Sequence, residues 1–252
     1  MALLTQYRAA GDRLFSPAIW QGFKDLDSAH PSGYMMNGGT GALFFDDFFD
    51  FPTGRYTVTE VDVGAAIAPA NGDVAGIGTL VLTTSATTNE GFNIQHGLTN
   101  GEWVLPAVNN TVRFECRVKA NSVTAGDLFF GLFVTDTTII ASGVMSTATN
   151  YIGIGVDGGT SALLFRASKA GTVATTANST LVVDTWTKLG FTIVTENSVL
   201  VAKQYVNGVQ VGSNLTATNI PVVEIRPSMV VQSHAAGAVT VDVDWMACSV
   251  DA

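Results

Sequence analysis

Asp184-Thr185-Trp186-Thr187-Lys188-Leu189-Gly190-Phe191, with the run that follows it to Tyr205-Val206-Asn207-Gly208-Val209-Gln210-Val211-Gly212, decides how this chain folds. Leu189, Phe191 and Ile193 alternate with Lys188, Gly190 and Thr192, which is the period of a strand with one buried face. Asn207-Gly208 lies between apolar neighbours, and this dipeptide accepts the positive φ angles that a two-residue hairpin turn demands. The segment predicts strand, strand, tight turn, strand.

Outward from it the pattern repeats. Val112, Phe114, Cys116 and Val118 alternate with Arg113, Glu115, Arg117 and Lys119, predicting a strand with one face in solvent. Leu128-Phe129-Phe130-Gly131-Leu132-Phe133-Val134 is apolar in both phases, which predicts a central strand whose second face is also covered. Further strands are predicted at 56–63, 79–84, 151–156, 162–167, 225–232 and 239–245, separated by Gly, Asn, Asp and Ser clusters. About a dozen such strands predict an all-β, two-sheet antiparallel jelly-roll sandwich.

Composition agrees. A chain of 252 residues buries enough surface to form one full core without staples, and no second domain is needed. With 47% hydrophobic residues, only 13% charged ones and 26 glycines, it has the make-up of a β protein with a weakly charged exterior, which fits either a surface covered by copies of itself or by a partner, or a Thr-rich sheet face that needs none. The balance of 21 acidic against 12 basic residues, without a basic run, argues against nucleic acid and anionic membranes as partners. No basic stretch followed by an apolar core opens the chain, and no apolar run has the length of a membrane span, so neither classical secretion nor membrane insertion is expected, and synthesis in a host cytoplasm is. Cys116 and Cys248 fall on apolar strand phases, as buried free thiols would.

Residues 1–42 differ from the rest. Leu3, Leu4, Tyr7, Leu14 and Phe15 lie near helical spacing, and Trp20, Phe23 and Tyr34 follow in an irregular, Gly-rich stretch. This predicts an N-terminal arm ahead of a jelly-roll domain at 43–252. Its aromatic residues Trp20, Phe23 and Tyr34 either fold back on their own domain or anchor on a neighbour.

From Phe44-Phe45-Asp46-Asp47-Phe48-Phe49 through the Trp186 strand and the Asn207-Gly208 hairpin to Trp245, the order of features resembles the concanavalin A-like (laminin G-like) jelly rolls of lectins, glucanases and many bacteriophage structural proteins. The resemblance implies that the first and last strands pair, bringing Phe48 and Trp245 into the same half of the core.

Chemistry is harder to find. Glucanases of this fold carry Glu-x-Asp-x-x-Glu on one strand, so that alternation points the carboxylates to one face. The nearest match is Glu60-Val61-Asp62, where the second Glu is missing. Gly153-Ile154-Gly155-Val156-Asp157-Gly158 matches the dinucleotide fingerprint in letters, but a turn and a strand follow where that motif needs a helix. His30, His96 and His234 have no spaced partners for zinc. Asp46, Asp47, Asp50, Asp157, Asp242 and Asp244 are ordinary turn and strand-face carboxylates that calcium would use only if the fold gathered them. No cofactor, metal or catalytic residue is assigned.

These readings predict a non-enzymatic bacteriophage virion protein: an exterior capsid decoration, or cement, protein that binds the major capsid protein and itself as a homo-oligomer such as a trimer. The alternative is a carbohydrate-binding module of a tail-fibre or receptor-binding protein, with Trp103 and Tyr151 as glycan-contacting aromatics.

Overall fold

The computed structural model describes residues 15–20, 34–36, 41–48, 51, 54–61, 66–71, 78–97, 106–136, 140–141, 144–145 and 150–251. Among the described residues a short helix, α1 (Pro17–Trp20), precedes the strands β1 (Tyr34–Met36), β2 (Gly41–Asp46), β3 (Tyr56–Val61), β4 (Ala66–Asn71), β5 (Gly78–Thr83) and β6 (Gly91–His96). Next come β7 (Thr111–Ala120), β8 (Gly126–Phe133), β9 (Ile140–Ala141), β10 (Val144–Met145), β11 (Tyr151–Val156) and β12 (Ala162–Lys169). The chain closes with β13 (Thr172–Thr180), β14 (Thr187–Glu196), β15 (Val199–Val206), β16 (Val209–Thr216), β17 (Arg226–Ser233) and β18 (Thr240–Asp251). Among the described residues no helix is long and apolar enough to cross a membrane.

Among the described residues the strands form two large antiparallel sheets, with β9 and β10 paired as a separate two-stranded ladder. A nine-stranded sheet runs β1-β2-β18-β7-β14-β15-β16, with β5 on the first half of β18 and β4 beyond it. A seven-stranded sheet runs β13-β12-β11-β8-β17-β6-β3. At the predicted hairpin Val206 faces Val209, and Asn207 and Gly208 adopt φ of 49° and 78°, as a type I′ turn requires. The Asn207 side chain also accepts the Lys188 N–H at 2.9 Å, tying the turn to β14.

Alternation delivers one core between the sheets. Leu189, Phe191 and Ile193 meet Val112, Phe114 and Cys116 across β14 and β7 and face Phe165, Ile154 and Phe130 of the other sheet. Phe191 lies 5.2 Å from Phe114 within its sheet and 5.7 Å from Phe165 across the gap, centroid to centroid. Cys116 and Cys248 are free, and burial pushes both thiols well up.

Three expectations change. The polar face of β7 is not in solvent: Arg113, Glu115 and Arg117 are buried, because the Phe15–Trp20 segment and the charged side chains of β18 lie over it. Phe48 and Trp245 do not share a core half. The strand that carries Phe44 and the last strand pair, as β2 with β18, but a β-bulge between Val243 and Trp245 shifts the phase and turns Trp245 to the outside of its sheet, while Phe48 stays in the central core. Within the segment 1–42, β1 already belongs to the sandwich, with Tyr34 opposite Phe44.

Candidate functional site

Register places a line of residues across the outer face of the seven-stranded sheet. Arg166 of β12 stands beside Gly153, then come Gly131, Ser228, Gln95 and Thr57 on β8, β17, β6 and β3. Glycine is required in this line: a Cβ on Gly153 would overlap the Phe129 ring, and one on Gly131 would overlap the backbone of β11. Phe129, Phe133, Tyr151 and Val230 close over it as a second, small core, the rings 5.0 to 5.5 Å apart.

The chain roofs part of this face itself. After β8, Gln95 donates to the Val134 carbonyl at 3.0 Å and accepts the Asp136 N–H at 3.0 Å, while Asn93 donates to the Asp136 carbonyl at 2.8 Å. The β9–β10 hairpin then approaches β6. The outward side chains of β8, Phe129 and Phe133, are buried on this face as well, as its two-phase apolar pattern predicts.

One end of the face stays polar and open. Asp127 begins β8, Asp157 follows β11, Arg166 lies on β12 and His234 follows β17. Arg166 grips Asp157 through both guanidinium NH2 groups. Asp127 accepts the Gly158 N–H, and its other oxygen lies 3.4 Å from His234 Nδ1. The imidazole sits directly on Gly158, where a Cβ would collide with it, and Gly159 follows at φ 86°. The His234 and Asp157 side chains are 44% and 48% exposed, so a ligand can reach them.

Burial pushes the Asp127 carboxyl above its ordinary range, and Asp157 adds to this; the Gly158 N–H and His234 act the other way. Burial likewise raises the Tyr151 phenol. The group therefore offers an acid held toward its protonated form, an imidazole beside it, and a carboxylate–guanidinium pair.

Of the sequence-predicted residues, Tyr151 does lie on this face, but it is 2% exposed and packed into the small core, so it cannot stack on a ligand in this conformation. Trp103 and Phe23 lie outside the described residues, and of Tyr34 only the backbone is described. Trp20 is docked on its own domain, with Nε1 donating to Glu115 Oε2 at 2.8 Å. Glu60 is exposed on β3, and Asp62 is outside the described residues. The fingerprint at 153–158 is strand β11 and a turn. Asp46 accepts from the Phe48 N–H, Tyr56 and Arg55, Asp242 pairs with Lys119, and Asp244 with Arg117. The Asp127, Asp157, Arg166 and His234 group is not visible in sequence, because four segments far apart in the chain supply it.

No protein-family model matches the sequence, and no curated protein matches it. Solved structures do. The chain is similar to the endo-1,3-β-glucanase from Streptomyces sioyaensis (13% identity, TM-score 0.56, covering 89% of this chain and 99% of that one). It is also similar to the endo-β-1,4-glucuronan lyase from the fungus Trichoderma reesei (14%, TM-score 0.55, 81% and 94%) and to the carbohydrate recognition domain of Emp46p (11%, TM-score 0.51, 78% and 88%). The fold is the concanavalin A-like jelly roll. This finding overturns the expectation of a non-enzymatic chain: two of these three similar structures are enzymes, and the fold is shared by enzymes and carbohydrate recognition domains alike.

Proposed function

We propose that this chain recognises carbohydrate at the open polar end of the seven-stranded sheet. The observation that carries the reading is the grouping of Asp127, Asp157, Arg166 and His234 around the Gly158–Gly159 turn. Vicinal sugar hydroxyls donate to carboxylates and accept from guanidinium and imidazole, and this group offers both kinds of partner from a fixed backbone. The similar structures named above support it, since a glucanase, a glucuronan lyase and a carbohydrate recognition domain all engage glycans. The net charge of −9, with Arg166 already paired to Asp157, favours a neutral polysaccharide over a polyanionic one.

Binding to a panel of immobilised polysaccharides tests the reading. The native chain should retain at least one neutral glycan, and Asp127→Asn and His234→Ala should each weaken retention about tenfold. Released reducing ends or unsaturated products should be read in the same assay, because a carboxyl held toward its protonated form is also what an acid catalyst needs. Retention of no glycan, or equal retention by both variants, rejects the site.

A second reading, exterior decoration of a phage head through contact with the major capsid protein and with itself, has its own observation. The edge strands β13 and β16, of 9 and 8 residues, lie beside each other where the two sheets meet and contain no charged residue, and Val173 and Val209 on them are exposed. Exposed edges usually carry charges that prevent pairing with other chains. Gold-labelled antibody on intact particles should decorate the heads; label on tail tips or none at all rejects this location.

A further inference from the structure

The outer face of the nine-stranded sheet carries a groove shaped for one short peptide. Tyr205, Trp245, Ala247 and Phe45 form its apolar surface, and Phe15, Ile19 and Trp20 fill it. Gly190 sets its depth, since a Cβ there would run into the Ile19 side chain. At its base Glu115, with no exposed surface, accepts the Ser16 N–H at 3.0 Å and the Trp20 indole N–H at 2.8 Å. Phe15 contacts three rings, those of Trp20, Phe45 and Trp245, at 4.9 to 5.7 Å.

This plug contributes no strand to either sheet, and residues 21–33 join it to β1. A chain of that length reaches about 40 Å when extended, enough to enter a neighbouring molecule. The groove is made entirely of sheet residues, so it is complete before any plug arrives. We propose that Phe15–Trp20 is an exchangeable plug, seated in its own groove in the dilute chain and in the groove of a second copy when copies are concentrated or held side by side. The contacts are the same in both arrangements, so local concentration and the connector decide between them. The inference does not depend on the glycan reading.

A crosslink separates the two arrangements. Ser16 lies against the Asn207-Gly208 turn, its Cβ 3.1 Å from where a Cβ on Gly208 would be; this is shorter than the span of about 3.5–4.5 Å that a disulfide bridges, and Gly208 holds φ 78°, so a cysteine there requires the turn to shift slightly, which closure of the doubly substituted chain checks. Full-length Ser16→Cys and Gly208→Cys chains are mixed and oxidised; the native thiols are buried and remain outside the reaction. Exchange gives a covalent heterodimer that increases with concentration and falls about tenfold when Trp20→Ala is added to the Ser16→Cys chain. The doubly substituted chain, when dilute, closes on itself and confirms that the two positions can react. If it closes while the mixture yields no heterodimer at any concentration, the plug is purely intramolecular and the inference is wrong. A heterodimer that persists unchanged with Trp20→Ala overturns it as well.

Discussion

The indole of Trp20 and the carboxylate of Glu115, 95 positions apart in sequence, meet at 2.8 Å on the outer face of the nine-stranded sheet. The pair converts the most regular inside/outside strand of the chain into one buried on both faces. Glu115 keeps its place there only because the segment that covers it also brings donors to it.

Trp20→Ala should therefore lower unfolding stability by about 3 kcal/mol, as expected when a large buried ring is removed. Trp20→Phe should cost less, about 1–2 kcal/mol, because packing survives while Glu115 loses one donor. Urea denaturation of the three chains gives the order directly. A loss under about 0.5 kcal/mol in the alanine variant would show that the plug adds no stability.

Two buried groups give acid dependences of opposite sign. Burial raises the Glu115 pKa above 4.5, and the hydrogen bonds from Ser16 and Trp20 and the charge of Lys188 only partly offset it. The folded chain holds this proton more tightly than the unfolded one. Its stabilising contribution is therefore complete below pH 4.5 and is lost as pH rises through the raised value. Glu115→Gln should remove that contribution, so the native-minus-variant stability difference should grow as pH falls from 7 toward 4.5. A pH-independent difference would place Glu115 in a solvent-like environment.

His96 works the other way. Burial first, then Arg55 and Arg226, lower its pKa from 6.5 to about 4. The unfolded chain takes up this proton before the folded one does, so stability is intact above pH 6.5 and falls by about 3 kcal/mol as pH drops toward 4. The ring packs against Phe44, centroids 4.3 Å apart and planes tilted by 53°, so a phenyl ring is accommodated there and His96→Phe should make the chain less acid-sensitive. Denaturation midpoints at pH 7 and pH 5 check this, and a variant that loses as much as the native chain between them would contradict it.

The strands were readable in sequence where the signal is local. Alternation at 189–193, the Asn207-Gly208 turn and the span Tyr151–Val156 are set by neighbours two residues away, and the structure has them. The strand β6 was missed because Gly91-Phe92-Asn93-Ile94-Gln95-His96 is buried in both phases: its outward amides bond to the chain that crosses over them. The outward turn of Trp245 was missed because a bulge shifts phase without a composition mark. Burial of Glu115 and the meeting of Asp127 with His234 depend on contacts between distant segments, which periodicity does not encode. Sequence singled out Asp157 and His234 only as unpartnered metal candidates, and named Tyr151 as a residue reaching outward, whereas its ring is packed under its own chain.

The bulge also makes the last prediction. It directs Asp244 onto Arg117, Oδ2 to Nη1 at 2.7 Å, with the Asp244 side chain fully buried. The same guanidinium lies 4.5 Å from the centre of the Trp186 ring, so one side chain joins β18, β7 and the turn before β14. Arg117→Met would preserve much of the stem's packing but leave the buried carboxylate without its guanidinium, at a cost of about 3–4 kcal/mol. Asp244→Asn should cost less, about 1–2 kcal/mol, because a neutral amide needs less compensation. Combining the two should cost clearly less than the sum of the single losses, since the methionine no longer faces a charge. Unfolding free energies of the four chains complete the cycle. Strict additivity would mean that Asp244 is held by its other neighbours and that Arg117 matters only through Trp186.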